Sequence, residues 1–146
     1  MASDDKRKLI EGLNEDLRGE FQAVIMYRLY ASMVQGPWRQ ELRAFFSAEI
    51  PEELMHAQIL ADKISAMGGT PAAEPAPVPV VAEAKAMLEK ALEAEKETIK
   101  RYVKRRAQAE KAGEFGLAVQ FDDLIADETS HRDELQQMLA RWPRES

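Results

Sequence analysis

Apolar side chains recur every three or four residues along most of the chain, the period of a helix that buries one face. With the strongest turn signals taken as breaks, this pattern predicts four helices. Their ranges are about 3–35, 37–67, 81–112 and 114–142. Ser3 is expected to cap the first helix, Pro37 to lie in the first turn of the second, and Pro143 to end the fourth.

Four long helices with one apolar stripe each predict an all-α four-helix bundle, because the stripes can be buried only against one another. The breaks at Gly36-Pro37 and Gly113 are so short that each flanking helix pair must form an antiparallel hairpin. Residues 68–80 contain four prolines and connect the hairpins. In polyproline conformation this segment spans roughly 40 Å, about the length of a helix. We therefore expect a crossover along the bundle and a single domain over 1–146, the alternative being a flexible linker between separate hairpins.

Each apolar stripe is interrupted near the middle of its helix by ionisable residues. They are Glu20 in the first helix, Glu53 and His56 in the second, Glu95 in the third, and Glu128 and His131 in the fourth. Because all are central, they share one layer whichever way the helices run. Burying unpaired charges costs several kcal/mol each, so the layer must be compensated. A pair of divalent cations would do so, since carboxylates neutralise them and imidazoles complete the coordination.

The spacing of these residues is repeated. The two E-x-x-H motifs place Glu and His on adjacent turns of one helix face, and they contain both histidines of the chain. A longer pattern, E-x6-Y-x25-E-x2-H, occurs twice with an offset of 75 residues and adds Tyr27 and Tyr102. Tyr102 fits either a partner of the site or an ordinary core aromatic residue.

Several positions near the layer have more than one interpretation. Glu93 and Glu97 compete with Glu95, which we prefer because it alone lies on the apolar seam of its helix. Glu49 lies one turn before Glu53 and is either a ligand on the path into the site, a ligand of a third metal, or a surface carboxylate. We favour the surface position. Pro51 should kink or bulge its helix unless the strain is tolerated.

Composition and charge narrow the classes of function. The 146-residue chain has no cysteine, which excludes disulfides and thiolate sites, and its formal charge of -6 disfavours nucleic-acid binding. The basic run at 100–106 is interpreted as a solvated face or a subunit contact. The charged N-terminal segment and the lack of a long apolar stretch predict a cytoplasmic protein that neither enters nor binds membranes.

The Glu, ExxH, Glu, ExxH pattern resembles the di-iron carboxylate proteins of the ferritin-like superfamily. The segments GEFQAVIMYRLYA, PEELMHAQILADKI and DETSHRDELQQML are most similar to bacterioferritin, with rubrerythrin a second relative. The resemblance implies two iron ions per subunit. It assigns Glu20 and Glu95 as terminal ligands, Glu53 and Glu128 as bridging ligands, and His56 and His131 as one imidazole for each iron. It also places Tyr27 in hydrogen-bond contact with a site carboxylate.

Four departures from the family pattern refine the expectation. Leu54 stands where bacterioferritins have a haem-binding methionine, so we expect no haem at that place. No fifth helix follows Pro143, which favours a homo-oligomeric 12-mer or dimer over a 24-mer. Thr98 stands where rubrerythrins have an additional glutamate, and their cysteine-rich rubredoxin domain has no counterpart.

The resemblance therefore implies a ferroxidase that oxidises Fe(II) with O2 or hydrogen peroxide for iron storage and detoxification. One alternative is a rubrerythrin-like peroxide reductase that is supplied by an external electron donor. Another is a non-catalytic helical bundle whose Glu and His layer binds a metal such as zinc structurally.

Overall fold

A computed structural model describes residues 3–143, and it forms four helices and no strand within that range. The helices are α1 (Asp4–Met33), α2 (Arg39–Ala66), α3 (Ala84–Lys111) and α4 (Phe115–Leu139). The predicted all-α four-helix class is confirmed. None of these helices combines the length and apolarity that crossing a bilayer requires.

Local turn geometry sets the ends of the helices. Ser3 caps α1 as predicted, since its hydroxyl accepts a hydrogen bond from the Lys6 amide at 3.2 Å. Pro37, however, lies before α2 rather than in its first turn. Gly36 adopts a φ of 111°, and its carbonyl accepts a hydrogen bond from the Arg39 amide, so a tight turn precedes the helix.

Two predicted boundaries differ by three residues each, and the others differ by one or two. α3 begins at Ala84 rather than 81, and α4 ends at Leu139 rather than 142. Arg141 has a φ of 59°, a left-handed conformation that turns the chain after α4. Trp142 is thereby removed from the helix face and packs edge-on against Trp38, with ring centroids 5.2 Å apart.

The proline-rich connector between α2 and α3 is packed along α1. Its contact points advance in step with the numbering of α1, so the segment crosses the bundle from one end toward the other. The hydrogen bonds join Asn14 to Thr70 and Ala72, Arg18 to Ala76, Gln22 to Pro77, and Tyr30 to Pro79. The expected crossover is therefore present, and the connector is bound to the bundle rather than free as a flexible linker.

The hairpins α1–α2 and α3–α4 are joined through an antiparallel contact of α1 with α3. Tyr27 contacts Glu95, whereas Asp16, earlier on α1, contacts Arg105, later on α3. Two hydrophobic clusters form the core, one around Leu13, Leu60 and Phe121 and the other around Met26, Phe46 and Leu135. The charged layer predicted from the sequence lies between them.

A buried ion pair connects α1 to α3 beside this layer. The Arg105 guanidinium donates to both oxygens of Asp16, at 2.8 and 3.2 Å, and the exposed fractions of these residues are 2% and 0%. Gly12 leaves the room, because a Cβ there would lie 1.9 Å from Arg105 Nη1. Residues 100–106 were predicted to form a solvated face or a subunit contact, and this prediction is wrong for Arg105. The space that Arg105 occupies is left by Gly12 on another helix, so the sequence around Arg105 does not reveal it.

α2 continues as a helix through Pro51, so neither a break nor a bulge precedes Glu53. Pro51 is exposed. The proline removes the helical donor of the Ser47 carbonyl, and the helix tolerates this loss.

Candidate metal centre

All six residues predicted from the spacing lie together in the buried layer. Each of these residues lies on the buried face of its helix, the face that packs against the other helices, and therefore points toward the axis of the bundle. Their exposed fractions range from 0% for His56 to 8% for His131. Charged and imidazole groups are rarely buried to this extent without compensation.

The ligand atoms of the layer form two sets, and within each set they lie no more than 4.8 Å apart. One set comprises Glu20, Glu53, His56 and Glu128, and the other comprises Glu49, Glu53, Glu95 and His131. Glu53 belongs to both sets, as expected for a group between two ions.

The preferred interpretation of Glu49 as a surface carboxylate is wrong. Its exposed fraction is 7%, and its Oε2 lies 3.0 Å from His131 Nδ1. The sequence did contain a signal, because Glu49 lies on the ligand stripe one turn before Glu53. The four-residue spacing from Glu53 does not by itself reveal that α4 brings the His131 imidazole against Glu49.

Both imidazoles present Nδ1 to the carboxylates. His56 Nδ1 lies 2.9 Å from Glu128 Oε1 and 3.7 Å from Glu20 Oε1. The other oxygen of Glu128 lies 3.8 Å from His131 Nδ1. Glu128 thus presents one oxygen to each imidazole, and the two halves of the layer meet at its carboxylate.

The outer nitrogens of the imidazoles are held by carboxylates that the sequence analysis missed. His56 Nε2 lies 3.2 Å from Asp127 Oδ2, and His131 Nε2 contacts Glu52. These contacts fix the orientation of each ring so that Nδ1 points inward. Glu52 and Asp127 are 75 residues apart and each precedes its motif glutamate, so the repeat itself contained the signal.

The two tyrosines of the repeat support ligand carboxylates on the opposite hairpin. The Tyr27 hydroxyl donates to Glu95 Oε1 at 2.8 Å, and the Tyr102 hydroxyl donates to Glu20. Both rings are fully buried, and Tyr102 also packs edge-on against Phe121. The two interpretations of Tyr102 therefore both apply, since it is a core residue and a partner of the site.

Many carboxylate oxygens and imidazole nitrogens of the layer, the atoms that could bind a metal, have no hydrogen-bond partner of good geometry. Among residues 3–143, eight buried side-chain nitrogen or oxygen atoms have no partner, and seven belong to this layer, the eighth being Arg101 Nε. Buried polar atoms are normally paired, so unpaired atoms that converge in one place indicate a site that can bind a cation. Carboxylate oxygens with imidazole nitrogens suit divalent transition-metal ions, and the residues present therefore fit a metal pair.

The pKa values of Glu20, Glu53 and His56 are raised, so these groups tend to hold protons when no metal is bound. Burial and the charge of Glu53 raise the pKa of Glu20 well above its usual value, and burial with the charge of Glu128 raises that of Glu53. Burial alone would lower the pKa of His56, but the Glu128 carboxylate, 2.9 Å from its Nδ1, and the negative charge of Glu53 raise it to about 9. Metal binding must displace these protons.

The metal-free protein should lose stability as pH rises. His56 titrates near 6.5 when unfolded and at about 9 when folded, so its stabilising charge is fully present below pH 6.5 and lost on approaching pH 9. The raised pKa values of Glu20 and Glu53 act in the same direction. We expect urea unfolding in the presence of a chelator to give a free energy roughly 3 kcal/mol lower near pH 9 than near pH 6.

The His56→Gln variant is the control for this measurement, because it removes the titrating imidazole while keeping a polar side chain. Its metal-free form should show a clearly smaller decrease over the same interval. A wild-type stability that stays constant or increases toward pH 9 would contradict the expectation.

The comparisons with known proteins agree with this geometry. The sequence matches the ferritin-like domain family over residues 10–145. It is 31% identical over 133 residues to a bacterioferritin of Brucella melitensis, covering 90% of this chain and 83% of the relative.

Solved structures agree as well. A ferritin-like, diiron-carboxylate protein of Bacillus anthracis superposes with a TM-score of 0.92 at 49% identity, covering 94% of this chain and 99% of that one. The Desulfovibrio desulfuricans bacterioferritin shares the fold, with a TM-score of 0.84 at 24% identity and coverage of 97% and 83%. The resemblance found in the spacing of Glu, His and Tyr is thereby confirmed, and the chain belongs to the ferritin-like family.

Proposed function

We propose that this protein is a di-iron ferroxidase that oxidises Fe(II) with O2 or hydrogen peroxide, for iron storage and detoxification. The observation that carries the proposal is the convergence of seven unpaired, buried donor atoms into two sets that share Glu53. Membership of the ferritin-like family and the likeness to a diiron-carboxylate protein support iron as the metal.

The proposed ligand assignment gives each of two iron ions one imidazole. His56 and Glu20 serve one position, and His131 and Glu95 serve the other. Glu53 and Glu128 lie between the positions, and the two oxygens of Glu128, one toward each imidazole, support a bridging role.

Iron bound at this layer supplies the redox chemistry, since two Fe(II) ions together deliver two electrons to one oxidant. The carboxylates favour the oxidised product, because anionic oxygen ligands stabilise Fe(III) more than Fe(II). Tyr27 and Tyr102 hold Glu95 and Glu20 in place by hydrogen bonds. Glu52 in turn fixes the His131 ring, so the layer keeps its geometry while its charge changes.

An acidic cavity gives cations access to the layer. It has a volume of about 340 Å³, borders His131 and opens to solvent. Carboxylates of Glu49, Glu52, Asp127 and Glu134 line it. A concave surface of one charge sign raises the local concentration of the opposite ion, which suits delivery of Fe(II).

Subunit assembly belongs to the same proposal. Leu54 and Met55 are neighbouring apolar residues on α2, with exposed fractions of 50% and 51%, and their burial between copies would support the predicted homo-oligomer. A 12-mer or dimer, rather than a 24-mer, in the cytoplasm stays our prediction, and light scattering after size-exclusion chromatography measures the size.

Anaerobic Fe(II) titration of the metal-free protein, followed by exposure to an oxidant, tests the activity. We expect two Fe(II) ions bound per chain and oxidation far faster than in buffer. With O2 as oxidant, two Fe(II) and two protons yield two Fe(III) and hydrogen peroxide. With peroxide, two Fe(II) and two protons yield two Fe(III) and two water molecules.

Other results would favour other functions. Oxidation at the rate of the buffer, or fewer than two Fe(II) ions bound, would contradict a di-iron ferroxidase. Peroxide removal that depends on a continuing electron donor, without accumulation of Fe(III), would favour the peroxide reductase. Tight zinc binding without iron oxidation would favour a structural metal site.

A further inference from the structure

The two metal positions are related by the 75-residue repeat, but one carboxylate breaks this relation. Glu20 corresponds to Glu95, and Glu53 to Glu128, so these ligands are of the same type in both halves. Glu49 corresponds to Leu124, which has no atom that can coordinate a metal. The repeat therefore supplies a carboxylate on one side of the layer and a leucine on the other.

Contacts place Glu49 within the layer rather than beside it. Its Oε2 is 3.0 Å from His131 Nδ1, closer than the oxygens of Glu53 at 3.6 Å and Glu95 at 3.7 Å. This oxygen is buried and has no hydrogen-bond partner. Leu124, in contrast, is 2% exposed and belongs to a hydrophobic cluster.

The two positions consequently differ in charge. Four carboxylates lie within 3.8 Å of His131 Nδ1, namely Glu49, Glu53, Glu95 and Glu128. The ligand set that contains His56 has three, namely Glu20, Glu53 and Glu128. An additional negative charge at ligand distance attracts a cation strongly inside a protein, where screening is weak.

A second difference acts in the same direction. Arg101 lies on α3 next to Tyr102, and its Nε is 3.4 Å from Asp16, one turn from Glu20 on α1. The corresponding residue in the other half is Met26, which is uncharged and fully buried. Of this repeat-related pair, the positive charge, which also contacts Asp16, lies on the side of the His56 position, where it opposes cation binding.

From these differences we propose that Glu49 is a ligand of the ion at the His131 position. It makes this position bind divalent transition-metal ions first and more tightly, and the His56 position holds the second ion. The inference rests on the proposed di-metal site and adds an order of occupation to it.

Calorimetric titration of the metal-free, full-length protein with Zn(II) tests the ligand role, because zinc binds without redox chemistry. The wild type should bind two Zn(II) ions in two resolved steps. The Glu49→Gln variant should weaken the tighter step by about tenfold or more. The Glu134→Gln variant removes a charge from the same acidic cavity without removing a donor of either set, and should change both steps by less than about threefold.

Anomalous diffraction from wild-type crystals given a substoichiometric amount of Zn(II) tests the order of occupation without any variant. The peak beside His131 should exceed that beside His56. Equal peaks, a larger peak beside His56, or an unchanged tighter step in Glu49→Gln would overturn the inference while leaving a two-metal site intact. A wild type that does not hold two Zn(II) ions would overturn the di-metal site and the inference together.

Discussion

The Glu53→Gln variant is expected to lose ferroxidase activity by about a hundredfold or more, and yet to be more stable than the wild type when no metal is bound. Glu53 belongs to both ligand sets, so its loss weakens both positions at once. Without metal, burial and the charge of Glu128 raise the pKa of Glu53, which shows that its ionised form is unfavourable there. A neutral amide of similar size removes that penalty.

Thermal unfolding with a chelator and with Zn(II) separates the two effects. Zinc should raise the Tm of the wild type substantially and that of Glu53→Gln little, whereas the variant should have the higher Tm in chelator. Glu97→Gln is the matched control, since it makes the same change of charge at an exposed position of α3, and it should leave both values unchanged. A Glu53→Gln protein that holds two zinc ions as tightly as the wild type would refute the shared role of Glu53.

The Arg105→Met variant should lose about 3–5 kcal/mol of stability, the largest effect on folding expected of any substitution considered. Arg105 is the bidentate partner of Asp16, whose exposed fraction is 0%. Burial already raises the pKa of Asp16, and the guanidinium opposes that shift. Removing the guanidinium leaves the buried carboxylate with only the longer contact to Arg101, at 3.4 Å, so its ionised form becomes less favourable and it takes up a proton more readily. The loss should therefore be larger near pH 8 than near pH 5.

Urea unfolding of the variants measures this loss. Arg106→Met is the control, since Arg106 makes a partly exposed ion pair with Asp122 and its loss should cost less than about 1 kcal/mol. Replacing both buried partners, with Asp16→Leu added to Arg105→Met, should recover much of the stability, because no fully buried charge is left without a partner. Equal losses in Arg105→Met and Arg106→Met would show that burial adds nothing to the pair.

The fold class and the position of the charged layer followed from the sequence because both depend on periodicity. When a Glu or His interrupts the apolar stripe near the middle of a helix, its position tells us that it faces the core and how far along the bundle it lies. This holds whatever the details of packing. The same reasoning failed for Pro37 and Trp142, because the turns that displace them depend on the φ values of Gly36 and Arg141. Periodicity contains no information on such turns.

Residues whose environment is created by a distant helix could not be placed from the sequence. Glu49 is buried because α4 brings His131 against it, 82 residues later in the chain. Arg105 is buried because Gly12, far away on α1, leaves room for it. In each case the local sequence is equally compatible with a solvent-facing charge, and only the pairing of the helices decides.

The Asp16 and Arg105 pair also determines which hairpins belong together. By the 75-residue repeat, Ala91 corresponds to Asp16 and Tyr30 to Arg105. Two copies of the first hairpin, packed like the native halves, would place each Asp16 against a tyrosine, and two copies of the second would place each Arg105 against an alanine. Pairing of like hairpins therefore leaves a buried charge without a partner, whereas pairing of unlike hairpins neutralises it, so the chain disfavours assemblies in which like hairpins pack together.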